Sequence, residues 1–265
     1  MEQQHLVKVV VPVYKPQLPK AERASLRQTV EVLGRYPIVV IHPEDMDTSE
    51  LQRDFPEVTL VGVSTEWLGL KNGIGGYNRM MLSEDFYALF PDTEYLLICH
   101  TDAWIFRDEL EEWCRKGYDC VAAPWILRWF YKLPLIAHYL KWKQRYALAR
   151  GRITRQVLYG RIGNGGLSLR RVETFLRACQ TYKEEIEQFI EQHHHLFNED
   201  VFWATVPKEF RYPSVEEALR FSFDTHPRYC YQRCHHQLPF GCHSWSKPRM
   251  YRFWRRIIPV NLSNE

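Results

Sequence analysis

Residues 5–13 (HLVKVVVPV) form a nearly continuous apolar run. A strand with one wet face alternates; one buried on both faces does not, so this run reads as an interior strand of a parallel sheet. Over residues 21–33, Leu26, Val30 and Leu33 recur at helical spacing and Gly34 follows as a stop. Residues 36–42 (YPIVVIH) and 58–63 (VTLVGV) repeat the buried-strand pattern. This alternation predicts right-handed crossovers and a parallel sheet. Residues 72–90 open in a glycine-bearing turn (NGIGG) and become helical, with Leu82, Phe86 and Leu89 on one face. Residues 95–106 (YLLICHTDAWIF) predict a fourth strand that runs into polar positions. Residues 108–116 predict a short helix, aided by the pairs Glu111/Arg115 and Glu112/Lys116. A short buried strand at 120–123 stops at Pro124.

The pattern then weakens. Within 126–160 only Leu133, Ile136 and Leu140 keep helical spacing. The segment GNGGLSLRR precedes a predicted helix over about 172–190, and Ser214 with Glu217 predicts a capping box for a helix over 215–221. No repeat or linker divides the chain. The expectation is one α/β domain over 1–265 with a mostly parallel central sheet flanked by helices. It carries a basic aromatic insertion at about 126–160 and a basic tail at about 247–265.

Composition changes this picture mainly through charge. The 265 residues are 45% hydrophobic and 25% charged, an ordinary globular balance. Apolar runs fall short of the roughly 18–20 residues that span a bilayer. The start, MEQQHLVKVVVPV, lacks a basic leader and a small-residue cleavage site. Both point to a cytoplasmic protein. Seven cysteines without a regular framework argue against a disulfide scaffold. The net charge of +3 conceals an asymmetry: residues 126–160 hold eight Lys/Arg, residues 247–256 hold five, and neither stretch holds an acid. The remainder is therefore acidic. Cations interleaved with Trp and Tyr suit an anionic membrane surface, such as the inner membrane face. They also suit nucleic-acid stacking, or a loop packed on its own protein.

Candidate chemistry sits at element ends. In open parallel sheets ligands bind at the C-terminal ends of strands. The fourth strand ends in His100-Thr101-Asp102, where His100 and Asp102 point to one side and could ligate a divalent cation. Asp102 could equally be a turn residue. Asn198-Glu199-Asp200 could hold a general base, or simply begin a helix. Gly163-Asn164-Gly165-Gly166 allows close backbone approach to a ligand, or only a tight turn. Cys230, Cys234, His235, His236, Cys242 and His243 lack the paired spacing of a zinc module, and His193–His195 reads as a solvated helix end.

The order VVVPVYK, GYNRMML, HTDAWIF, YDCVAAPW, GNGGLSLRR, NEDVFW and PFGCHSW resembles GT-A glycosyltransferases, most closely a bacterial glycosyltransferase-like domain family of unknown function. The resemblance implies sugar transfer, with inversion, from a nucleotide-sugar to a hydroxyl of a glycan or lipid-linked acceptor in bacterial surface polysaccharide synthesis. HTD takes the place of the acidic metal motif, so Asp102, His243 and His100 are the implied ligands of Mn²⁺ or Mg²⁺. Histidine replaces the first acid, and this favours Mn²⁺. Asp200 is the implied base and Glu199 orients hydroxyls. Pro12, Val13, Tyr14, Tyr77, Asn78, Arg79, Thr101 and Asp102 are expected on the donor side. Trp125, Asn164, Gly165, Gly166, Trp203 and Trp245 are expected on the sugar or acceptor side. A nucleotidyltransferase would want a basic glycine loop after the first strand, where PVYKPQLPK stands. A non-catalytic nucleic-acid binder would leave NED and the HTD/His243 set without purpose.

Overall fold

The computed structural model describes residues 4–150, 154–192 and 195–262; Arg152, His193 and His194 lie outside them. The buried runs become β1 (His5–Pro12), β2 (Ile38–Pro43), β3 (Thr59–Val63) and β4 (Thr93–Cys99). Helices α1 (Lys20–Leu33) and α2 (Ser49–Asp54) are the crossovers between the first three. All three pairings, β1 with β2, β2 with β3 and β1 with β4, are parallel. Successive residues of β1 explain the missing alternation. Val9 and Val11 enter one apolar cluster with Leu26, Leu33 and Trp113. Val10 enters the other, with Phe86, Phe175 and Phe202. Both faces of the sheet are covered.

Beyond β4 the direction reverses. β6 (Cys120–Ala122) and β7 (Leu167–Arg171) complete the order β3-β2-β1-β4-β7-β6, and both of their pairings are antiparallel. β7 escapes the apolar pattern because LSLRR looks polar. In the fold Leu167 and Leu169 face one cluster while Ser168 and Arg170 are buried on the other side. The expected fourth strand also divides. β4 stops at Cys99, residues 100–103 turn, and β5 (Trp104–Ile105) joins a second sheet with β8 (Ser222–Phe223) and β9 (Gly241–Cys242).

Two predicted helices are each broken. Residues 72–90 become α3 (Gly73–Met81) and α4 (Glu84–Ala88), with the Ser83 hydroxyl accepting from the Asp85 N–H at 3.1 Å to start the second. Residues 172–190 become α7 (Val172–Thr181) and α8 (Lys183–Ile190), parted at Tyr182. Between them in chain order come α5 (Leu110–Arg115) and α6 (Pro134–Leu148). After α9 (Glu199–Thr205), the capping box forms as expected at α10 (Val215–Phe221), where the Ser214 hydroxyl accepts from the Glu217 N–H at 3.2 Å. The tail contains α11 (Pro227–Arg233) and α12 (Pro248–Trp254). Its aromatic residues are core: Trp245 and Trp254 pack with Phe223, Cys230 and Ile258 in a third cluster. Among the described residues no helix is long and apolar enough to cross a membrane.

Candidate active site

The sheet order opens a crevice before any side chain is considered. β2 and β3 build out from one side of β1, and the chain then crosses to β4 on the other. At such a switch point the loops leaving two neighbouring strands diverge. Val10 lies opposite Ile98, so residues 12–14 and 100–102 leave the sheet side by side.

The second sheet brings further residues to the same place. β8 and β9 are parallel and β5 is antiparallel to β9. The residue after β8 (Asp224), the residue after β9 (His243) and the turn before β5 (Asp102) therefore emerge at one end. His243 Nε2 lies 2.9 Å from Asp102 Oδ1, and its Nδ1 lies 2.9 Å from Asp224 Oδ1. The Lys247 ammonium is 3.7 Å from Asp102 Oδ2. His100 bonds the Tyr77 hydroxyl through Nε2 at 2.7 Å, and its ring meets His243 edge-on at 5.7 Å. Ligand atoms of His100, Asp102 and His243 all lie within 4.8 Å of one another.

Two imidazoles and a carboxylate form a donor set suited to a divalent transition ion. The charges fit a cation at His100 and Asp102, whereas His243, held as an imidazolium, would give up its Nε2 proton to bind one. Burial and the positive His243 push His100 down to about 3, leaving the neutral imidazole that ligates metals. Burial opposes the charge of Asp102, but His243, His100 and Lys247 outweigh it and hold the carboxyl well below its usual range. Burial also opposes a charged His243, and Asp102 with Asp224 pushes it up to about 10.

Residues 163–166 lie against this cluster, and close contact explains their glycines. A Cβ on Gly163 would sit 1.9 Å from the Trp125 ring, one on Gly165 2.1 Å from Glu199 Oε1, and one on Gly166 2.1 Å from His243 Nε2. Asn164 between them takes φ 71°, a left-handed conformation that asparagine tolerates. His243 is pinned between two carboxylates, so Gly166→Ala is expected to displace it. If the cluster binds Mn²⁺, that affinity should fall roughly 10–100-fold, the usual cost of disturbing a ligand's support. Calorimetric titration with Mn²⁺ checks this, and an unchanged affinity would show that His243 is free to move.

Glu199 and Asp200 begin α9 but face different surroundings. Asn78 on α3 fixes this end, accepting from the Glu199 N–H at 3.1 Å and donating to Asn198 Oδ1 at 3.2 Å. Glu199 turns inward and is 2% exposed. Its Oε1 accepts from Arg170 Nη2 at 2.9 Å, and Arg170 also donates to the Tyr87 hydroxyl and Ser168 Oγ, each at 3.0 Å. Asp200 instead lines a pocket of about 220 Å³, open mouth included, with Asn164, Gly165, Trp203 and Tyr212. Its Oδ1 accepts from the Val201 N–H at 2.8 Å. Burial and the adjacent Glu199 charge push Asp200 up to about 7, where a carboxyl can exchange a proton near neutral pH.

The other anticipated residues divide. Pro12 and Val13 are buried at the end of β1, while Tyr14 and Arg79 are exposed. Thr101 donates its hydroxyl to Glu22 of α1 at 2.9 Å, and Asn78 is committed to α9. Trp125 is half-buried against Gly163. Two expectations need correction. Trp203 is closed in by Phe175 and Phe210, and Trp245 is buried with its Nε1 donating to Ser25 Oγ at 2.7 Å. Both are at most 2% exposed and offer no open ring face for stacking a sugar, although Trp203 also backs the Asp200 pocket. Asp224 and Arg170 were not anticipated. For Asp224 a signal existed: FSFD ends a short apolar run in an acid, as LLICHTD does.

Comparison with known proteins agrees with this architecture. Residues 58–243 match the model of a family described as a protein of unknown function, DUF5672. That span takes in the whole HTD turn, the glycine loop, Asp200 and Asp224, and ends on His243. No curated protein matches the chain. Mouse xyloside xylosyltransferase 1, in its apo form, is 12% identical with a TM-score of 0.54, covering 94% of this chain and 99% of its own. The galactosyltransferase LgtC, in complex with donor and acceptor sugar analogues, is 12% identical with a TM-score of 0.54, covering 96% and 98%. Core-mannan synthase A from Aspergillus fumigatus, in a Mn/GDP form, is 8% identical with a TM-score of 0.50, covering 76% and 69%. At such identities the likeness is one of fold. The chain belongs to the DUF5672 family, and its fold is that of the GT-A glycosyltransferases.

Proposed function

We propose that this protein is a glycosyltransferase that moves a sugar from a nucleotide-sugar to a hydroxyl of a glycan or lipid-linked acceptor, in bacterial surface polysaccharide synthesis. One observation carries the reading. A cation-binding set and a carboxyl titrating near neutrality flank a single glycine loop, with Gly166 against His243 and Gly165 against Glu199, the neighbour of Asp200. Sugar transfer from a nucleoside diphosphate needs both poles: positive charge where the diphosphate departs, and a proton acceptor where the hydroxyl attacks.

Asp102, His243 and His100 would hold a divalent cation, with Mn²⁺ better suited than Mg²⁺ to two imidazoles. Such an ion stabilises the charge of a leaving diphosphate. Asp224 holds the His243 ring in place through Nδ1, and Tyr77 does the same for His100. Tyr14 and Arg79, both exposed, are the donor-side residues free to meet a nucleotide. Asp200 takes the acceptor proton, which corresponds to a direct displacement with inversion at the anomeric carbon. A solved neighbour in a Mn/GDP form and another with donor and acceptor sugar analogues support the choice of ligands.

Asp102→Ala tests the cation pole. Donor affinity in Mn²⁺ should fall by roughly a hundredfold, the upper end of the cost of disturbing a metal site. The remaining binding should no longer respond to Mn²⁺. Calorimetry with the preferred nucleotide-sugar measures both. An affinity that is unchanged and still Mn²⁺-dependent would remove Asp102 from the site.

A further inference from the structure

The helix α6 carries an apolar stripe that the described residues of its own fold leave exposed. Isolated helices of this length are marginal in water, and helices in proteins gain most of their stability by burying one face. Yet no α6 residue whose side chain is described is buried. Of the ten exposed large hydrophobic residues among those described, six lie between 129 and 146: Trp129, Leu133, Leu135, Tyr139, Trp142 and Tyr146. Leu135 is 87% exposed and Trp142 56%. At 3.6 residues per turn, Leu135, Tyr139, Trp142 and Tyr146 fall within an arc of about 60°. The rings of Tyr139 and Trp142 stack at 6.1 Å, and those of Trp142 and Tyr146 at 5.5 Å, forming one aromatic stripe.

Charge identifies what covers the stripe. Lys143 lies about 40° beyond one edge and Arg145 about 60° beyond the other, on the same helical geometry. Residues 126–160 contain no acid at all. An aromatic stripe bordered by long cationic side chains matches an anionic bilayer surface, with rings at the headgroup level and ammonium and guanidinium groups reaching lipid phosphates. The tail does not share this design, because its aromatic side chains are turned into the third cluster.

The root of the insertion links the stripe to the candidate site. The insertion leaves and rejoins the fold at a bridge between Pro124 and Ile162, with the Trp125 N–H donating to the Arg161 carbonyl at 3.0 Å. Trp125 then lies directly against Gly163 of the glycine loop. We infer that α6 is a membrane-docking helix that seats the Tyr139–Trp142–Tyr146 stripe on anionic lipid, in an insertion rooted beside the candidate site. The inference goes beyond the transferase reading and does not depend on it.

The test is flotation of the full-length protein with phosphatidylcholine vesicles and with mixed phosphatidylcholine–phosphatidylglycerol vesicles. Strong binding to the anionic vesicles alone, released by salt, is expected. Replacing Lys141, Lys143 and Arg145 together by Gln should weaken it by roughly a hundredfold, at about 1 kcal/mol per cation. Tyr139→Ser with Trp142→Ser and Tyr146→Ser should also abolish flotation. Both variants should bind nucleotide-sugar and Mn²⁺ as the wild type does, so a failed docking surface and a failed catalytic reading give different results. Hydrogen exchange of the wild-type protein should show protection concentrated in α6 when anionic vesicles are added. Equal binding to both vesicle types, no binding, or no protection of α6 would overturn the inference. So would α6-dependent binding to RNA with vesicles ignored.

Discussion

Asp200→Asn is expected to lower transfer by about 10²–10⁴-fold, the usual contribution of a positioned general base, while donor binding stays nearly intact. The substitution keeps the shape of the side chain. Its oxygen can still accept from the Val201 N–H that holds Oδ1 at 2.8 Å, so the start of α9 should survive. What it removes is the ability to take a proton. The pH dependence gives an independent check. Burial and the Glu199 charge raise the Asp200 carboxyl to about 7. The reactive form is the carboxylate, so transfer should fall about tenfold per pH unit below that value and level off above it. Steady-state rates of the wild type and the variant across this range read both effects. A variant that also loses donor binding would show Asp200 to be structural. A variant as fast as the wild type would remove it from the reaction.

Glu199→Gln is expected to act on stability instead. Arg170 and Glu199 are each 2% exposed and bonded at 2.9 Å. Removing one charge leaves the other buried without its counterpart, which costs about 3–5 kcal/mol. For a chain of this size that lowers Tm by very roughly 10 °C. Replacing both partners with apolar residues of similar volume, as in Arg170→Met with Glu199→Leu, should recover much of the loss. Urea unfolding of the two single variants and the double variant isolates the coupling. If Glu199→Gln proved as stable as the wild type, the pair would not be the electrostatic anchor between β7 and α9.

These two residues also mark the limit of what the sequence makes legible. The runs in β1 to β4 are readable because strands buried on both faces need no alternation. The capping box at Ser214 is readable because it is local. β7 is hidden because Arg170 looks like a surface residue until its partner, 29 positions away, is known. HTD and His243 can be picked out as chemistry-bearing residues. Their convergence rests on three short strands whose pairing spans β5, β8 and β9, and two-residue strands leave almost no pattern. Asp224 follows one of them, and the acid that ends FSFD is its one local mark. Trp203 and Trp245 show the opposite error. A tryptophan beside a candidate site invites a ligand role, but large aromatic side chains more often fill cores.

The proposal that this fold takes up a nucleotide-sugar through a metal is tested most directly by thermal unfolding with UDP-, GDP- and CMP-sugars, each with Mn²⁺ and with a chelator. A ligand at about a hundred times its Kd stabilises the native state by about 2.7 kcal/mol. At roughly 2–4 °C per kcal/mol, one donor class should raise Tm by about 5–10 °C in Mn²⁺ and by little with the chelator. If no donor shifts Tm at saturating concentration, or one does so equally without metal, the metal-assisted transferase reading is contradicted.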